Sequence, residues 1–134
     1  MAKEKKQRET QSKVIDTHVH INFKRPHSKE IAKASGITYS PAGLLKDMDA
    51  NNVVRALLMS IPGQTEVSLK FAMKYPGRFW VCGAADPKNL TPAVLKTVEA
   101  QMAEDKIRAL KFYIGYQHYY PDDEDAVPLY RLAM

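Results

Sequence analysis

Two histidines two residues apart carry the clearest chemical signal in the chain: His18 and His20, in Val14-Ile15-Asp16-Thr17-His18-Val19-His20. Side chains alternate along a strand, so Asp16, His18 and His20 share one face while Ile15, Thr17 and Val19 share the other. Imidazoles so spaced stand roughly 7 Å apart at the backbone, close enough for both rings to converge on one ion. Asp16, one step further in, is placed to hydrogen-bond a ligand ring or the neighbouring backbone, the usual work of a carboxylate behind metal-binding histidines. Two more residues are candidates to contact a substrate. Lys111 reads as a buried or substrate-facing cation, and His118 lies in a long loop of the kind that holds substrate contacts. His27, in Lys24-Arg25-Pro26-His27, has basic company suited to a carboxylate.

Other reactive types read as structural. Cys82 sits within the apolar run 79–85, as a small buried hydrophobe rather than a nucleophile. Arg55 and Arg78 read as strand-edge or salt-bridging residues. Asp122-Asp123-Glu124-Asp125 reads as a solvated loop before a helix, where negative charge suits the helix dipole.

The elements that must position these residues follow from periodicity and punctuation. Residues 14–21 are β-branched and bounded by polar sequence, which predicts a first strand. A loop over 22–40 contains one helical turn near 28–34. Ser40-Pro41 opens a helix with serine as N-cap and proline in the first position, its apolar face formed by Leu44, Leu45 and Met48. Strands are expected over 53–61, 79–85 and 107–114. Helices are expected over 64–75, through Val67, Phe71 and Met73, and after Thr91-Pro92, with a buried stripe of Val94, Leu95, Val98 and Met102. Pro128 opens a last helix after the loop 115–127.

The order is βαβαβαβ, and near-continuous apolar strands joined by helices imply a parallel sheet buried on both faces. An open doubly wound sheet would carry a glycine-rich turn after the first strand; Asn22-Phe23-Lys24-Arg25-Pro26 has no glycine. The expected fold is therefore α/β, the N-terminal half of a TIM (β/α)8 barrel, with about four parallel strands and crossover helices over 14–134. His18 and His20 then fall at the carboxyl end of a barrel strand, where such barrels place their chemistry. A full barrel needs about 200–250 residues, and half of one leaves two open strand edges. The sequence thus reads as a truncated half-barrel, expected to be inactive alone.

Composition bounds the alternatives. The chain has 134 residues, 45% apolar and 26% charged, with a formal charge of +5. Residues 1–13, read as a disordered basic tail, carry Lys3, Lys5, Lys6, Arg8 and Lys13 against Glu4 and Glu9, so most of that excess sits there. The remainder mixes both signs, which argues against nucleic acid as a partner. No apolar stretch is long enough for a membrane span, and no apolar run follows the charged N-terminus as in a secretory signal. With one cysteine, a cytoplasmic location is expected.

Ile15-Asp16-Thr17-His18-Val19-His20 resembles the Asp-x-His-x-His signature that opens the barrel of the amidohydrolase superfamily. More narrowly, the chain resembles the amidohydrolase-related family that includes aminocarboxymuconate-semialdehyde decarboxylase. Tyr75-Pro76-Gly77-Arg78-Phe79 with Ala85-Asp86-Pro87 resembles that family's third strand and its exit. Ala109-Leu110-Lys111-Phe112-Tyr113, the loop from Gly115 to Asp123 and Pro128-Leu129-Tyr130 resemble its fourth strand, loop and helix. The resemblance implies a metal-dependent hydrolase of C–N or C–O bonds, or a decarboxylase (a lyase), acting on a small acid. It implies a divalent metal, zinc above all, held by His18 and His20. Further histidines and a general-base aspartate would lie beyond residue 134, so this chain would offer only two ligands. A bridging carboxylated lysine, found in some relatives, is disfavoured at Lys111 because three more strand residues are expected after it and because the family resembled is of the mononuclear branch. Beyond a small-molecule substrate, the expected partners are a second copy or a chain supplying the C-terminal half. The alternative to an enzyme is an inactive half-barrel that acts only by association with another chain.

Overall fold

A computed structural model describes residues 12–23 and 25–134. The reading of 1–13 as a disordered tail falls, for residues 1–11, outside the described residues, as does Lys24. The elements run β1 (Val14–Val19), α1 (Ser28–Ala34), α2 (Pro41–Ala50), β2 (Val53–Met59), α3 (Thr65–Lys74), β3 (Phe79–Ala84), α4 (Pro92–Ala103), β4 (Ala109–Lys111) and α5 (Val127–Ala133). The helix starts are chemically specified. Ser40 Oγ accepts from the Gly43 N–H at 3.0 Å and Thr91 Oγ1 from the Val94 N–H at 3.3 Å, each followed by proline in the first turn.

The fold is α/β, and its sheet is wholly parallel in the order β1-β2-β3-β4. Right-handed crossovers that always step the same way lay every helix on one face, unlike a doubly wound sheet, whose order reverses. The core lies on that helix-covered face, with Ala56, Leu58, Phe79, Val81 and Ile107 at its centre and Val19, Ile21, Leu110 and Phe112 packed against them. The alternate residues therefore form the opposite face: His18 and His20, Leu57 and Met59, Trp80 and Cys82, Lys111 and Tyr113. In a flat sheet β1 and β4 would stand about 14 Å apart. Lys111 Nζ nevertheless lies 3.4 Å from His18 Nε2, so the sheet is curled into a half-barrel with this second face concave.

Several expectations need correction. Burial on both faces holds for β3, where only Trp80 is half-buried, and not for the outer strands. β1 is exposed along almost its whole length, and Val14 and Ile15 retain 43% and 48% of their surface, because no described residue covers the concave side or the outer edge of β1. β4 is much shorter than 107–114: its ladder holds three residues and ends at Lys111, since β4 has a neighbour on one side only. In α4, Val94 is exposed and Gln101 is buried instead, satisfied by donating Nε2–H to Glu66 Oε1 of α3 at 2.8 Å. In α3, Val67 and Met73 face solvent while Leu69 and Ala72 pack on the core. The acidic run after β4 is not merely solvated. Lys88, in the 3-10 turn Pro87–Asn89, binds Asp123 at 2.9 Å and Asp125 at 2.8 Å, clipping the loop after β3 to the loop after β4. This contact holds the Asp123 carboxyl below its usual range and the Lys88 ammonium above its own. Arg78 pairs with Asp49 at 2.8 Å, whereas Arg55 donates to the Gly77 carbonyl and stacks 4.6 Å from the Trp80 ring centroid.

Among the described residues, no helix is long and apolar enough to cross a membrane.

Candidate metal site

β1 delivers its two histidines to the carboxyl end of the sheet. Its ladder stops at Val19, so His20 stands just past the last paired residue, where the backbone is free to bring its ring toward His18. The two Nε2 atoms are 3.2 Å apart and the rings meet edge to face, with centroids 5.1 Å apart and planes at 65°. Asp16 takes one of the two roles open to it: Oδ1 accepts from the His18 backbone N–H at 2.9 Å, fixing the strand rather than a ring.

Whether this pair suits a metal can be judged from the donors themselves. Two nitrogens about 2.0–2.1 Å from one tetrahedral zinc stand about 3.3–3.4 Å apart. The 3.2 Å separation is close to that, and the atoms that approach are both ring nitrogens, each of which offers a lone pair in the Nδ1–H tautomer. The same distance also suits an N–H···N hydrogen bond between neutral tautomers. The His20 imidazole is held below its ordinary pKa, first by partial burial, then by the Lys111 charge and by His18, against a backbone contact from Met59. Its neutral, metal-ligating form is thereby favoured. Among the described residues no third histidine, cysteine, aspartate or glutamate joins the pair. His18 and His20 fit two positions of a metal site, and the described chain supplies no third.

Lys111 is the neighbour that matters most. Its Nζ lies 3.4 Å from His18 Nε2 and 4.4 Å from the centroid of the Tyr113 ring, on the concave face. As the last residue of β4, it stands at the end of its strand and not three residues before it, so of the two reasons for disfavouring a metal-bridging lysine only the resemblance to the mononuclear branch is left. His118 is not brought to this cluster. It is exposed, its side chain has no hydrogen bond or ion pair among the described residues, and it does not line the cavity beside His20. His27 is also exposed, 3.2 Å from Glu30; its place at the cavity is taken by Arg25.

That cavity, about 830 Å3, opens beside His20 between the ends of β1 and β2 and the loop 20–41. Phe23, Tyr39 and Phe71 form an aromatic wall, with Phe23 centred 5.3 Å from Tyr39 and 5.9 Å from Phe71. Tyr39 secures the loop by donating to the Asn22 carbonyl at 2.6 Å. Tyr113 lines the cavity too and was not a candidate in the sequence. The signal was available: the strand alternation that selects Lys111 also selects the residue two positions on.

Cys82, on the concave face below this cluster, is 2% exposed. Burial pushes its thiol up to about 11, against the pull of the Lys111 charge. Iodoacetamide at pH 8 is expected to alkylate Cys82 in the folded chain at least ~10-fold more slowly than in the urea-unfolded chain, as thiolate is the reactive form. Mass spectrometry of the modified cysteine checks this; equal rates would contradict a buried thiol. Because the folded value lies above the unfolded one, Cys82 favours the folded state fully below pH ~8.5, and that contribution is lost as the pH rises toward 11.

No protein-family model, curated protein or solved structure gives a significant match to this chain.

Proposed function

We propose that the chain is the first half of a TIM-type (β/α)8 barrel of the amidohydrolase-related kind and that His18 and His20 contribute to a zinc site. The reaction would be metal-dependent hydrolysis of a C–N or C–O bond, or non-oxidative decarboxylation, of a small acid. One observation carries this reading: two imidazole nitrogens 3.2 Å apart at the carboxyl end of the first parallel strand, on the concave face of a curled sheet. The resemblance of Asp16-Thr17-His18-Val19-His20 to the superfamily signature supports it. Bound zinc would supply Lewis acidity and a water of lowered pKa. Of the chain's own residues, His18 and His20 bind, Asp16 holds the His18 backbone in register, and Lys111 places a cation where an anionic substrate group is bound. The aromatic wall of the cavity excludes water from the substrate's apolar body. A third metal ligand and a general-base aspartate would complete the site, and the described residues supply neither at the histidine pair.

The exposure of β1 and of the concave face favours a second reading, a half-barrel that works only when another chain covers them. The two readings share a first experiment, equilibrium dialysis of the chain against zinc. About one zinc per chain is expected. A chain that takes up none, alone or in the presence of a second half, overturns the metal site.

A further inference from the structure

Two phenols in the chain have a buried hydroxyl with no hydrogen-bond partner among the described residues, Tyr113 and Tyr119. Native proteins rarely leave such a group unpaired, and those that do include groups held ready for a ligand. The surroundings of the two differ. Tyr119 belongs to the loop after β4 and is outside the lining of the cavity at His20; burial, Tyr130 and Asp86 raise its pKa. Tyr113 lines that cavity together with His20 and Met59, and its ring carries the Lys111 ammonium 4.4 Å from its centroid. The backbone around it is held on both sides. The Tyr113 N–H donates to Gln117 Oε1 at 3.3 Å and its carbonyl accepts from the Gln117 N–H at 2.9 Å, so the ring is presented by a pinned turn.

We infer that the Tyr113 hydroxyl is the donor this site reserves for an oxygen atom of its ligand, acting beside Lys111. The inference rests on reading the carboxyl end of the sheet, where the cavity opens beside His20, as the substrate site, though not on the presence of zinc. Lys111 supplies charge without direction; a phenol O–H supplies one directed bond. Together they suit one carboxylate or carbonyl oxygen, with the ligand's apolar part against Phe23 and Phe71. The hydroxyl is closed to water in the ligand-free chain, so engagement requires a small turn of the ring as the oxygen enters.

The test compares the full chain with Tyr113→Phe and Tyr119→Phe, using benzoate as the probe with and without zinc. Benzoate offers one carboxylate for Lys111 and Tyr113 and one ring for the aromatic wall. Ligand-observed NMR is expected to show benzoate binding at least ~10-fold weaker in Tyr113→Phe and unchanged in Tyr119→Phe, as loss of a charged-group hydrogen bond implies. Zinc uptake should be the same in all three, and the thermal midpoint of Tyr113→Phe equal to or above that of the parent, because a hydroxyl without a partner contributes nothing to the fold. Equal benzoate affinity in parent and Tyr113→Phe, or no benzoate binding to the parent, overturns the inference. So does a lowered midpoint in Tyr113→Phe, which would mean a structural partner. If the parent takes up no zinc while Tyr113→Phe still weakens benzoate, the metal reading fails and the assignment of Tyr113 stands.

Discussion

Replacing His18 and His20 together by alanine is expected to weaken zinc binding by at least ~100-fold while leaving the fold intact. Outer residues that merely orient metal ligands are worth about 10–100-fold in affinity, and removing direct ligands exceeds that. The fold should survive because both side chains are exposed and neither belongs to the core. Competition against a chromophoric chelator gives the affinity and circular dichroism reports the fold. Asp16→Asn should have a smaller effect, about 10-fold or less, since Asp16 grips the His18 backbone and touches neither ring. That ranking separates a site built on the two imidazoles from adventitious zinc on scattered surface groups. Unchanged affinity in the double variant would remove the basis of the proposed activity.

How much of this was legible in the sequence depended on whether the signal was local. Capping residues are local, so the starts of α2 and α4 could be read directly from Ser40-Pro41 and Thr91-Pro92, whereas a register shift between Asp16 and Val19 interrupts the alternation expected to put Asp16 on one face with His18 and His20. Strand length is not local, because a strand lasts only as long as it has a neighbour. The apolar run 107–114 therefore shrank to Ala109–Lys111 at the sheet edge, and with it the reading of Lys111 changed. Burial is not local either. Val94 and Gln101 exchanged roles because Glu66, 35 positions from Gln101, offers the acceptor that permits an amide to be buried. The approach of Lys111 to His18, across 93 positions, needed the curl of the sheet, which no spacing encodes. His118 shows the converse: a reactive residue type in a suggestive loop that the fold leaves apart from the site.

The openness of the concave face has a direct energetic consequence in adjacent residues of β2. Leu58 is fully buried at 0% exposure beneath the helices, while Leu57, its neighbour in sequence, is only partly covered and pairs across the sheet with Trp80. Leu58→Ala is expected to destabilise the chain by about 3 kcal/mol, within the 2–5 kcal/mol typical of cavity-forming leucine truncations. Against a total of roughly 5–15 kcal/mol for a domain, that is a large share for one residue. Leu57→Ala removes the same atoms from a site that water already reaches. Its lost transfer energy is partial and no closed cavity remains, so its cost should stay below about 1.5 kcal/mol. Urea unfolding of both variants, with equal slopes, measures the difference. In a closed barrel the two faces of β2 would both be buried, one under helices and one in the barrel interior, and the two truncations would cost alike. A large asymmetry therefore means that the chain in solution keeps its concave face open, as the exposure of β1 implies. Near-equal losses would mean that the face is covered in solution, and repeating the pair of measurements over a range of chain concentrations would reveal whether a second copy covers it.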